Sequence, residues 1–423
     1  MCKEKFLKEE YYITVRNNPF HPATIIENTV FAIDLLLFGT FCILSFLDKE
    51  YIPSLFFFAF AALGLFLLYQ NNAPIAHASK KNVILRKYFK KYTFEFSDLS
   101  STSFSFCKTN LNFCGKNFSI PSHYLGAKLF IRLLRIKNSP FATEEGVSAL
   151  KQYIQEHACK SALLLKPKPD TVPSLTSSKI GGIPYWPSAK EYPRDEEGKK
   201  MHLLCQLNLS ECKDSCGLLP QSGILQFFIS PAGGDVYGMN WDRPTEQKNW
   251  RIVFHEQTEE SLSEDQIKEI AAPESEYPES PILKSIALEF SPSTSYIKSD
   301  DYKMDQLVKD AAKKITGKDF EGSIYDLLGP DEINTPASQV YDMLEEKENY
   351  MLGYPSFVQY DVRSYMPKEE AAYFDTLLLH LDSLSADGKI MCWGDMGCAN
   401  FLINSEALKR CDFSKVLYTW DCT

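Results

Sequence analysis

Two apolar runs near the N-terminus constrain this chain more than any other stretch. Residues 29–47 (TVFAIDLLLFGTFCILSFL) carry one charge, Asp34, and residues 51–69 (YIPSLFFFAFAALGLFLLY) carry none. Each run is 19 residues long, within the range of about 17–25 that spans a hydrocarbon core as a helix. Neither alternates as a barrel strand would. Only Asp48, Lys49 and Glu50 separate them, so residues 29–70 are expected to form a transmembrane hairpin of two antiparallel helices. Pro53 falls in the first turn of the second helix, where its missing N–H does no harm. Asp34 lies near enough to a helix end to reach the interface, with a functional intramembrane acid as the alternative. Lys3, Lys5, Lys8 and Arg16 precede the hairpin, and Lys80, Lys81, Arg86, Lys87, Lys90 and Lys91 follow it. The positive-inside rule then gives a multi-pass protein of the cell membrane with both termini cytoplasmic. Two alternatives stay open. Ala76-His77-Ala78 resembles a signal cleavage site, although a signal peptide has one short apolar run, not two. A buried core hairpin is the other, disfavoured by Phe56-Phe57-Phe58 with no polar face.

The rest of the 423 residues has room for two or three domains. A formal net charge of −10 argues against a general nucleic-acid binder. Lys80, Lys81, Lys87, Lys90 and Lys91 would lie beside the hairpin, where contact with anionic lipid contributes roughly 1 kcal/mol per residue. A solvated basic face is the plainer reading of the same lysines. The 12 cysteines read as reduced thiols in a chain of this length with a cytoplasmic bulk. Cys205 and Cys398, inside apolar runs, read as small core residues.

Residues 1–28 form a polar lead. In residues 71–157, short alternating runs at 82–89, 92–96, 102–107 and 113–120 are separated by turn residues such as Gly115-Lys116-Asn117, which predicts a small β-meander. Helical spacing follows at 125–136 and 143–157, the latter with Val147, Leu150, Tyr153 and Ile154 on one face. This arrangement resembles the bacterial pleckstrin-homology-like (PH-like) domains. Residues 158–177, rich in Pro, Ser and Thr near their end, are expected to be a linker.

Residues 178–423 read as a second domain with an internal duplication, at about 178–229 and 352–403. Gln206 and His380 are 174 residues apart, and so are Gly223 and Gly397; Pro184 and Pro355 are 171 apart. Fixed offsets between like landmarks are the mark of a repeat. Between the copies, helices are expected at 263–271 and 304–315 and a strand at 283–290.

Here the sequence is similar to a known family. Gly181-Gly182-Ile183-Pro184-Tyr185-Trp186-Pro187, Gln206-Leu207-Asn208, Leu225-Gln226-Phe227-Phe228 and Asp235-Val236-Tyr237-Gly238 resemble the YwqG-like bacterial proteins of unknown function. So do Leu352-Gly353-Tyr354-Pro355, Trp393-Gly394-Asp395-Met396-Gly397 and Trp420-Asp421-Cys422. The resemblance covers roughly residues 170–423. It departs at Asp361-Val362-Arg363, where Asp-Pro-Arg is usual, and at His380, where Gln is usual. It implies an α+β, mainly β, roll-like fold with a few helices and no established activity.

Candidate chemistry is sparse. Cys205, Cys392, His202, His255 and His380 could supply a nucleophile and base, but no nucleophile elbow is present. Cys212 and Cys216 lack the second pair that a zinc site needs, so neither metal nor cofactor is expected. Gly181-Gly182 lacks the spacing of a phosphate loop. The richest set for binding is Asp361, Arg363, Asp382, Trp393, Asp395, Asn400, Trp420 and Asp421. Carboxylates beside aromatics can hold a sugar, an amine or a cation, and they can equally fix turns. The expected function is a membrane-tethered recognition module for a protein or peptide partner, regulatory or immunity-type. The alternative is a membrane-associated hydrolase using the Asp361, Asp382 and Asp395 acids or a Cys/His pair.

Overall fold

The computed structural model describes residues 13–15, 76–78, 82–87, 90–105, 108–121, 124, 127–212, 217–230, 236–271, 280–320, 322–328, 338–344, 348–383 and 390–423, with isolated helical positions between 32 and 63. No helix among the described residues is long and apolar enough to cross a membrane. This corrects the expected transmembrane hairpin at 29–70, and with it the multi-pass membrane placement. Spanning needs about 20 continuous apolar helical residues. Nine positions of that range are described, all of them helical, and the remainder lies outside the described residues.

Two compact units divide the chain. One is Met1–Ser148 with Ala312–Gln339, the other Ala149–Ala311 with Val340–Thr423. The smaller unit holds β1 (Ile13–Val15), β2 (Ala76–Ala78), β3 (Asn82–Lys87) and β4 (Lys90–Glu95) in one antiparallel sheet, and β5 (Leu99–Ser105), β6 (Lys108–Phe113) and β7 (Lys116–Pro121) in a second. Alternation places Val83, Leu85 and Phe94 in its core. Helix α1 (Ala127–Lys137) adds Ala127, Phe130, Ile131 and Leu134, at the three- and four-residue spacing of one helical face. The Phe94 and Phe113 rings stack at 4.9 Å and join the two sheets. Cys114 (φ 47°) and Gly115 (φ 79°) turn β6 into β7, since a two-residue type I′ loop needs positive φ at both positions. Arg86 opposes Lys91 and Lys87 opposes Lys90 across β3 and β4, while Lys80 and Lys81 lie outside the described residues.

The larger unit is built on one ten-stranded antiparallel sheet. Its strands are β8 (Cys159–Lys168), β9 (Lys179–Ile180), β10 (His202–Asn208), β11 (Ile224–Ile229), β12 (Trp250–His255), β13 (Ile286–Tyr296), β14 (Tyr350–Leu352), β15 (Thr376–Asp382), β16 (Cys398–Ile403) and β17 (Leu417–Asp421). The order across the sheet is β12-β11-β10-β9-β13-β8-β14-β15-β16-β17. Strand β8 falls in the stretch expected to be a linker, and it pairs along its length with β13 at the sheet centre. Helix α2 (Glu144–His157) leads into it, α3 (Glu264–Ile270) follows β12, and α4 (Met304–Thr316) follows β13. The Ser263 side chain caps α3 through a reciprocal box with Gln266.

The strand order reads the same from either end. Each half has a long leading strand, a short strand and a three-stranded meander. The leading strands are exchanged: β8 precedes the first meander but pairs with β14 of the second, and β13 pairs with β9 of the first. Strands β10 and β15, and β11 and β16, start and end 174 residues apart, and each meander breaks register at the same place, Leu203/Cys205 and Leu377/Leu379. One face of the sheet carries a core shared by both halves, with Leu207, Phe227 and Trp250 against Leu381, Phe401 and Tyr418. On the other face each half has its own cluster, around Trp186, Leu203 and Phe228 in the first and Phe357, Leu377 and Leu402 in the second. Burial on both faces explains why β10, β11, β15 and β16 read as near-continuous apolar runs.

Candidate functional site

Each half buries a polar network where its meander meets the loop after the short strand. In the first, the Gln226 amide donates to Tyr185 O at 2.7 Å and to Gln206 Oε1 at 2.8 Å. His255 Nε2 lies 2.9 Å from Gln226 Oε1. In the second, the counterpart of Gln226 is Asn400, which donates to Ser356 O at 2.8 Å, and its Oδ1 lies 2.8 Å from His380 Nδ1. Because both amides hold the loop that follows a left-handed residue pair, Gly181-Gly182 (φ 60° and 73°) or Leu352-Gly353 (φ 59° and 75°), Asn400 serves loop geometry.

The other residues singled out from sequence have similar commitments. Arg363 Nη2 lies 2.7 Å from Asp361 Oδ2 and 3.1 Å from Asp301 Oδ2, and its Nη1 donates to Phe374 O at 3.2 Å. Asp361 is fully buried and also accepts from the Tyr302 and Arg363 N–H groups. Burial works against the Arg363 charge, and the two carboxylates more than offset it, holding its pKa above the usual value. Asp421 accepts from Val358 N and Gln359 N at 2.9 and 2.8 Å, and burial raises its carboxyl pKa. Trp393, fully buried, and Trp420 stack at 6.5 Å, with Tyr237 at 5.2 and 4.8 Å from them. Asp395 is exposed, its carbonyl bound by Thr423, and Asp382 is half-buried at the end of β15. The structure brings Asp361 to Arg363 and Trp393 to Trp420, but it does not gather all eight around one cavity.

Of the nucleophile and base candidates, Cys392 and His202 are half-buried, and Cys205, His255 and His380 are buried. Cys205 is fully buried and Cys398 nearly so, and burial pushes both thiols well above their usual pKa. Burial lowers the pKa of His202, His255 and His380 to about 4. Cys216 lies outside the described residues, and no group of three or more His, Cys, Asp or Glu suited to a metal occurs among those described.

A cleft of about 630 Å³ opens in the first half, where β9 and β13 part beyond the Ile180–Ile286 pair. The Gly181–Pro184 loop and the 282–285 segment form its sides, with Met201–Leu203 and the end of α3 between them. Close approach fixes Gly182, because a Cβ there would meet Ser285 Oγ at 2.4 Å. Ile183 and Ile282 are half-buried, and Leu283 is 56% exposed. None of the eight residues singled out from sequence lines this cleft. The Gly-Gly-Ile-Pro motif was the available signal, but its partners lie about a hundred residues downstream.

Fold and cleft together define a mainly β, internally twofold domain with an open cleft in its first half. The chain belongs to the DUF1963 family, a domain of unknown function, whose model matches residues 178–422. No curated protein matches the chain.

Proposed function

We propose that the DUF1963 domain is a recognition module that holds a peptide segment of a protein partner in the first-half cleft. The observation that carries this reading is the contrast between the halves. Counting three residues back from the paired Ile286 and Leu163, which oppose Ile180 and Met351, places Leu283 at the position of Lys160, although Leu283 precedes β13 and its N–H bonds Ile390 O. Lys160 reaches across to donate to Asp375 O at 3.0 Å and packs 4.7 Å from the Tyr354 ring. Leu283 instead leaves its side of the frame open. The resulting volume lies within the roughly 300–1,000 Å³ of ligand sites, and its lining mixes Ile183, Leu203, Ile282 and Leu283 with His202, Lys268, Ser280, Lys284 and Ser285.

The hydrolase reading has less support, since Asp361 is committed to Arg363 and the Cys205 thiol is held protonated. In the smaller unit, the opposed pairs Arg86–Lys91 and Lys87–Lys90 favour a second reading, contact of a PH-like unit with an anionic surface. Binding to phosphatidylserine vesicles, lost in Lys90→Glu/Lys91→Glu, tests it.

To test the main reading, a random displayed-peptide library is panned against the full chain and against Leu283→Lys. The variant copies a residue that the second half already accommodates. Peptides enriched by the wild type and lost by the variant support recognition at the cleft. No enrichment, or equal retention by the variant, contradicts it.

A further inference from the structure

Resting on the reading just given, we infer that Trp393 is a positioning residue for the first-half cleft: through Met391 it holds the wall that is pinned to the second half. Trp393 stands in a motif that the sequence singles out, yet it is fully buried and does not line the cleft. The wall supplies the connection. Residues 282–285 precede β13 and are stitched to the second half. Ile282 forms an antiparallel bridge with Met391. Leu283 N and Lys284 N donate to Ile390 O at 2.8 and 3.2 Å, and Cys392 N donates to Pro281 O at 2.7 Å. One side of the cleft is thus the Gly181–Pro184 loop, and the other is fixed to residues 390–392.

Trp393 anchors that segment. Its indole N–H donates to Met391 Sδ at 3.0 Å, and its backbone N–H donates to Ser383 Oγ at 2.8 Å. The Ser383 hydroxyl donates to Gly397 O at 2.6 Å, and Gly397 N donates to Trp393 O at 2.8 Å. These bonds tie the segment to the β15–β16 hairpin. Met391 and Trp393 both lie in the shared core, and Ile282 packs against it. A buried indole N–H needs an acceptor, and here the acceptor belongs to the residue whose backbone bridges the wall. Little slack exists across the base of the cleft, because a Cβ on Gly181 would meet Ile282 Cγ2 at 2.8 Å. A shift of Ile282 therefore reaches the opposite loop. Trp393 lies four residues before Gly397, and four residues before the equivalent Gly223 the first half has Leu219. Leucine has no side-chain N–H, so at this position the anchor exists only in the second half.

The test compares hydrogen exchange of the ligand-free full chain with that of Met391→Leu, Trp393→Phe and the double variant. Met391→Leu keeps the side-chain volume but strands the indole N–H, and a stranded buried donor costs more than removing both partners. The amides of Leu283, Lys284 and Cys392 should exchange at least about fivefold faster, while amides in β10 and β15 keep wild-type rates. Adding Trp393→Phe removes the stranded donor, so the double variant should exchange more slowly at these amides than Met391→Leu alone. If Trp393 only filled the core, the two losses would add. The peptide most enriched by the wild type should lose affinity for Met391→Leu by a similar factor and regain part of it in the double variant. Unchanged exchange at the stitched amides, an equal rise across the sheet, or additive losses would overturn the inference. A loosened wall with unchanged peptide affinity would overturn the role in binding and leave recognition at the cleft standing. No peptide enriched by the wild type would overturn recognition and with it any role in binding, while the exchange rates still decide whether Trp393 holds the wall.

Discussion

Phe227 and Phe401 occupy the same position in the two halves of the sheet, and their rings meet at 4.9 Å. A residue that touches its own counterpart lies beside a twofold axis, so the shared core is an isologous contact folded into one chain. Trp250 and Tyr418 close around the pair, at 5.9 and 4.6 Å from Phe401. Phe227→Ala and Phe401→Ala should therefore cost similar amounts, about 3–5 kcal/mol each. Urea titrations of both single variants and the double should show strong coupling, since each ring packs on the other. Independent, additive losses would contradict the contact.

His380 ties stability to pH. It is fully buried, bonded through Nδ1 to Asn400, and its Nε2 has no hydrogen-bond partner among the described residues. Burial first, then the Lys298 charge, lowers its pKa to about 4 against the bond to Asn400. A base with a lowered folded pKa contributes stability that is present above its unfolded value of about 6.5 and is lost as pH falls toward 4. Asp300 works in the opposite sense: burial raises it to about 7, so its contribution is present below about 4 and is lost as pH rises through 7. His380→Gln, which copies Gln206 at the equivalent position, should make the slope of unfolding free energy against pH less positive between pH 4 and 6.5 by up to about 1.4 kcal/mol per pH unit. Denaturant titrations across that range check this; an unchanged slope would contradict it.

Arg363 is the shared cation of two buried carboxylates. Arg363→Met leaves Asp361 and Asp301 without it, and removing one side of such a cluster costs about 3–5 kcal/mol. Thermal melts at pH 7 should show a large drop. A drop within experimental error at pH 7 would show that the cluster contributes nothing.

On the smaller unit, Lys91→Glu converts the Arg86–Lys91 cross-strand pair from repulsive to attractive. A gain of about 0.2–1 kcal/mol is expected at low salt, fading as salt screens it. Melting temperatures at two salt concentrations decide the point; a loss, or a gain insensitive to salt, would contradict this pairing.

Parts of this architecture were legible in the sequence because they are local. The spacing of Gln206 and His380 is the offset of β10 and β15, and alternation picked out β3, β4 and part of β5 in the small unit, whereas β1, β2 and β6 were missed and the expected 113–120 run crosses the β6–β7 turn. The exchange of β8 and β13 was not legible, since it pairs each leading strand with the other half and leaves no nearby pattern. Pro167, Pro169 and Pro173 gave the β8 region a linker's texture, although Pro167 sits in the strand opposite Leu288. The hairpin expectation rested on apolar composition, which does not establish one continuous helix. Asn400, Asp361 and Asp421 stood out as polar residues in apolar surroundings, the same signature that buried loop-fixing groups carry. The cleft was missed because Ile183 and Leu283 meet only through the β9–β13 pairing.

The most direct test of recognition at the first-half cleft is a crystal structure of the full chain with the most enriched peptide. The predicted result is peptide density between the Gly181–Pro184 loop and residues 282–285, with an apolar side chain against Ile183 and Leu283. Peptide bound elsewhere, with this cleft empty, would contradict it.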